Sequence, residues 1–256
     1  MAPNSPPHRS ALLRTAAVLA LLAAALVLPG CAKKSSSTAT GAPGATAATN
    51  APAPAARAAG DRFGKSSSVL LEALTKPTDS FHFSYKGQVN VSTEYLTKPG
   101  AKPQMGPVTM EADVSPDAID IAGVRGDKKL DTHAKKANQL DWSMAGLAMI
   151  GPLGDIGMAM AFASPAAREA GTEAVGGAPA DKFTFDTRTA TAEQKAGMEA
   201  AKRMLNGKLE YGDINGTAWV AQADGRLVKF NIDAEVKDKA GNQWKEHHEG
   251  EVTPKK

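Results

Sequence analysis

The sequence predicts an α+β domain in which an antiparallel β-sheet turns one apolar face toward covering helices. Three observations carry that expectation. Several stretches alternate apolar and polar residues with a period of two, the pattern of a strand with one buried face. Short turns separate them, as in antiparallel sheets that face water on one side. Three further segments have helical signals, and one of these is apolar nearly all round.

The elements follow in chain order. Arg9 and Arg14 precede an unbroken apolar run from Ala16 to Leu28. That is the layout of a secretory signal, and it falls short of the roughly 20 apolar residues of a membrane span. The run ends in Leu28-Pro29-Gly30-Cys31, which resembles a bacterial lipobox. The resemblance implies a diacylglyceryl group on the Cys31 sulfur and cleavage between Gly30 and Cys31. An ordinary signal peptide that happens to contain a cysteine is the alternative. Cys31 is the chain's only cysteine, so once lipidated it leaves no thiol for catalysis, disulfides or metal. Each buried methylene of an acyl anchor contributes about 0.8 kcal/mol, and more than one chain gives stable attachment.

Residues 1–30 therefore read as a signal that is removed, and residues 31–61 as the lipidated cysteine and its tether. The tether is Ala, Ser, Thr, Pro and Gly with almost nothing to bury, which predicts disorder. A flexible coil of that length spans roughly 30 Å root-mean-square. Lys33 and Lys34 flank the anchor, where each adds about 1 kcal/mol of attraction to anionic lipid. Without residues 1–30 the formal charge drops from +3 to +1, and no basic block points to nucleic acid. The expected address is the bacterial cell envelope, on the outer face of the cytoplasmic membrane or on the outer membrane.

Residues 62–256 form the domain. A short helix over 66–76 carries Val69, Leu70, Leu71 and Leu74 and stops at Pro77. A long strand follows at Phe81–Tyr95, with Phe81, Phe83, Tyr85, Val89 and Val91 on one face. Further strands carry Val108, Met110, Ala112 and Val114, then Ile119 and Ile121, then Phe183 and Phe185, and finally Val228 to Val236. Ala223-Asp224-Gly225-Arg226 reads as a hairpin turn. The third helical segment, from Thr191, has Thr191 as its N-cap and Gln194 three residues on. The apolar segment at 142–164 contains Pro152, Asp155 and four glycines. It predicts two short buried helices hinged near Gly151-Pro152, with a transmembrane span as the lesser alternative.

Known catalytic patterns fail on inspection. "GDRFGKSS" at 60–67 lacks the spacing and the preceding strand of a phosphate-binding loop. "KEHHEGE" at 245–251 divides His247 and His248 between opposite strand faces, which predicts a solvated terminal strand rather than a metal site. "RGD" at 125–127 reads as a turn. Asp155 either caps a second short helix or marks a polar point in a cavity.

"GTEAVGGAPADKFTFDT" at 171–187 and "NGTAWVAQADGRLVKFNID" at 215–233 resemble two segments of the lipoprotein-carrier superfamily. The resemblance is to its LppX/LprAFG type of lipid-binding lipoproteins and covers roughly residues 65–252. Phe183 stands where that pattern has Tyr, and Ala221 or Gln222 where Asp is common. The family implies a half-barrel, a curved antiparallel sheet with helices on its concave apolar face, enclosing a cavity for acyl chains of lipids or glycolipids. The implied lining is Phe81, Phe83, Tyr85, Val89, Val91 and Met110 from the strands. The apolar segment adds Met144, Leu147, Ile150, Leu153, Ile156, Met160 and Phe162. Methionine makes such linings compliant, although Met and Phe stripes also form plain cores. No cofactor is expected. The leading function is binding or transfer of a lipid or other apolar ligand without covalent chemistry. A structural or regulatory lipoprotein that binds a protein partner with a filled core is the alternative, and an enzyme comes third.

Overall fold

Nine strands in one antiparallel sheet dominate the fold. The computed structural model describes residues 54–92, 101–204, 209–238 and 240–255, which lie in a single compact unit, Thr49–Lys256. The expected signal, Gly30, Cys31 and the tether as far as residue 53 lie outside the described residues. In chain order the strands are β1 (Phe81–Asn90), β2 (Met105–Val114), β3 (Ala118–Arg125), β4 (Lys128–Lys135), β5 (Arg168–Val175), β6 (Ala178–Asp186), β7 (Leu209–Ala221), β8 (Leu227–Asp238) and β9 (Gln243–Pro254). Three α-helices are described: α1 (Pro54–Thr75), α2 (Gln139–Ala163) and α3 (Ala192–Met204).

The spatial order is β4-β3-β2-β1-β9-β8-β7-β6-β5. Strands β1–β4 form one meander and β5–β9 a second. They join where the first strand pairs with the last, Phe81 opposite Pro254 through Gln88 opposite His247. β9 is thus the fifth of nine strands, which corrects the expectation of a solvated terminal strand at 245–251. Its residues Trp244, Glu246, His248, Gly250 and Val252 are buried in alternation with exposed or half-buried ones. Alternation also holds where it was expected in β1, β2 and β8. The hairpin turns follow from local chemistry: Gly176 and Gly177 take φ of 57° and 83° between β5 and β6, a backbone region that favours glycine.

Two helices differ from expectation. α1 reaches back to Pro54, into the stretch read as tether. Alanine-rich sequence there has high helix propensity, and Phe63 is buried against Phe183 and Phe185 at centroid distances of 5.8 and 5.0 Å. α2 is one 25-residue helix rather than two hinged at Gly151-Pro152. An internal proline costs a helix about 3 kcal/mol. Burying Met149, Leu153, Ile156 and Met160 outweighs that, at about 1.5–3 kcal/mol for each large apolar side chain. Asn138 starts the helix by accepting from the backbone N–H groups of Leu140 and Asp141. Among the described residues no helix is long and apolar enough to cross a membrane.

α3 starts as expected. The Thr191 backbone N–H donates to Gln194 Oε1 (2.8 Å), and the Gln194 N–H donates to Thr191 Oγ1 (3.2 Å). Helices and sheet share one hydrophobic cluster, running from Phe63 and Leu70 through Phe81, Met110 and Met149 to Phe230 and Ile232.

Candidate functional site

Most of the residues expected to line a cavity are gathered in that cluster. Phe81, Phe83, Tyr85, Val89 and Met110 from the sheet and Leu153, Ile156, Met160 and Phe162 from α2 are each at most 4% exposed. Val91 lies one residue beyond β1 and is half-buried. Met144 is 55% exposed. The side chains of Leu147 and Ile150 lie outside those described.

Within this apolar interior sits a polar group that the alternation pattern had concealed. Tyr85 and His248 face the core from adjacent strands, β1 and β9, and the Tyr85 hydroxyl lies 3.0 Å from His248 Nδ1 in a hydrogen bond. Gly87 makes room for it, because a Cβ there would fall 2.3 Å from the Tyr85 oxygen. On β9, Glu246 Oε1 accepts from the Trp244 indole N–H at 2.8 Å and from the Asn90 backbone N–H at 3.5 Å. His248 Nε2 lies 3.4 Å from Glu246 Oε2, an ion-pair contact when the ring is protonated, and it is buried without a hydrogen-bond partner. Arg125 closes β3 on the same face of the sheet. Its Nε is likewise buried without a hydrogen-bond partner.

Asp155 faces this group from α2. It neither caps a second helix nor breaks the first; it interrupts an apolar helix at mid-length. Burial, and next the negative charge of Glu246, push its carboxyl up to about 7, against a smaller opposing pull from Arg125. Glu246 ends below the ordinary range. Its burial alone would raise it, but the His248 ring and the Trp244 N–H favour the ionised form more strongly. The Tyr85 and Tyr211 hydroxyls are raised, mainly by burial and then by Asp155 and Glu246. The Tyr211 hydroxyl donates to the Asp155 backbone carbonyl at 3.4 Å, tying α2 to β7.

Asp155 is surrounded by protein yet keeps accessible surface, as do Ala148 and Met158 on the same side of α2. A Cβ added to Gly154 would meet nothing within 4 Å. Gly154 therefore borders open space, whereas a Cβ on Gly157 would meet Ser67 of α1. No group of three or more His, Cys, Asp or Glu among the described residues is arranged to hold a metal ion. The "RGD" segment is the β3–β4 turn, with Gly126 at φ +62°.

No protein-family model matches the chain, and no curated protein matches it. Among solved structures the chain is similar to MucB in the crystal structure of MucB in complex with MucA(peri), at 13% identity and a TM-score of 0.31. The match covers 77% of this chain and 56% of that one. Likeness at that level identifies neither a family nor a function.

Proposed function

We propose that the chain is an envelope lipoprotein, anchored through Cys31, whose domain binds a lipid or other apolar ligand between sheet and helices. In this reading the sheet is curved and α1 and α2 cover its concave face, as in the lipoprotein carriers that the sequence resembles. The observation that carries the proposal is that Asp155, facing Glu246 and Arg125 of the sheet, keeps accessible surface beside half-buried Ala148 and Met158. A buried carboxyl beside apolar, half-buried neighbours is the mixture of a ligand site, in which a few polar groups orient an otherwise apolar guest.

The alternative, a protein-binding lipoprotein with a filled core, draws on a different observation. Nine of the expected wall residues are already at most 4% exposed. Ala148→Phe separates the two readings. In an open site it lowers binding of a fluorescent phospholipid several-fold while the unfolding midpoint moves little. In a filled core it costs about 1–3 kcal/mol through overpacking, and the parent protein binds no phospholipid.

A further inference from the structure

We infer that Arg125 Nε and His248 Nε2 anchor the carboxylate of a long-chain fatty acid, whose tail takes the apolar space of the proposed site. This rests on the lipid-binding reading and gives its ligand a headgroup. Both nitrogens are buried and neither has a hydrogen-bond partner. A buried donor without an acceptor is costly, and two on one face of a sheet leave places for acceptor oxygens. They belong to a single row across four strands. Arg125 is opposite Val108, Val108 opposite Gly87, and Gly87 opposite His248. Gly87 contributes no side chain to that row, where the Tyr85 hydroxyl lies instead, and the buried Val108 side chain stands between Gly87 and Arg125.

The donor chemistry suits an anionic headgroup. A guanidinium uses Nε and a neighbouring Nη to hold both oxygens of a carboxylate at once. Glu246 Oε1 accepts from Trp244 and Asn90, and its Oε2 lies 3.4 Å from His248 Nε2, while Arg125 Nε has no hydrogen-bond partner among the described residues. If the Tyr85 hydroxyl donates to His248 Nδ1, the His248 proton sits on Nε2 and is available to a ligand oxygen. Half-buried Val91 and Met105 lie at the Arg125 end of the sheet, Val91 with its side chain 3.3 Å from a Cβ built on Gly126. They give a tail an apolar path next to the headgroup.

Asp155 sets the pH sense of binding. The groups that face it are Glu246 from β9, Arg125 from β3, Tyr85 from β1 and Tyr211 from β7. Protonated, it donates to an incoming carboxylate; ionised, it repels one. Affinity for a fatty acid should therefore fall as Asp155 ionises, and Asp155→Asn should reduce that fall.

The test compares a fluorescent long-chain fatty acid with its methyl ester on the purified full chain. The acid should bind at least about tenfold more tightly than the ester, a difference of about 1.4 kcal/mol. Arg125→Gln should bring that ratio down to about one. Equal affinities in the parent protein overturn the headgroup assignment while leaving lipid binding intact. Binding of neither compound overturns lipid binding and the headgroup together. Should Arg125→Gln not fold, the parent's acid-to-ester ratio still decides.

Discussion

Asp155 is a carboxyl on an apolar helix, and its ionisation opposes folding. Its folded-state pKa, about 7, lies above the ordinary carboxylate value. Stability from this group is therefore greatest below about pH 4, where the folded and unfolded chains are both protonated. It falls as pH rises toward 7, because only the unfolded chain ionises over that interval. The loss is at most on the order of 4 kcal/mol. Asp155→Asn should remove it, so the variant gains on the parent from pH 4 to 7 in urea unfolding. Parallel pH curves would contradict the placement of Asp155. The sequence marked this residue as unusual but left its role open between a cap and a polar point, since a single charge in an apolar run fits both. Glu246 and His248 were misread because alternation tells which residues share a face, not which face is buried. Arg125 stood in a turn motif, and nothing local distinguished its inward side chain.

At the scale of elements, local signals were legible where short-range chemistry decides. The Thr191–Gln194 capping box formed as its spacing implied, and the Gly225 turn lies between β7 and β8 with φ +75°. Signals failed where tertiary packing decides. Pro152 and the glycines argued for a break in α2, yet burial of one helical stripe kept it continuous. The helix was expected only from residue 66 and residues 54–61 read as tether, yet α1 begins at Pro54 and Phe63 anchors it against Phe183 and Phe185. A lone aromatic in a small-residue stretch is the one hint that was available. Phe63→Ala should cost about 3–5 kcal/mol, measured as a lower urea midpoint with unchanged slope. A loss below about 1 kcal/mol would mean that α1 is not part of the core.

For the molecule as a whole, the sheet's order decides what the interior can hold. β9, last in sequence, lies between β1 and β8, so its buried face of Trp244, Glu246 and His248 is set in the middle of the sheet. The chain then brings Asp155 over that centre on α2 and Arg125 from β3. Such a juxtaposition depends on strand order, which periodicity does not encode. The central claim is that this interior takes an apolar ligand in a protein tethered by a lipidated cysteine. Native mass spectrometry of the full chain purified from its own host, compared with the same sample denatured, tests it most directly. The account expects a non-covalent mass, that of one lipid, to be lost on denaturation, while a covalent diacylglyceryl mass remains on the peptide that begins at Cys31. Identical native and denatured masses in lipid-replete preparations would contradict it.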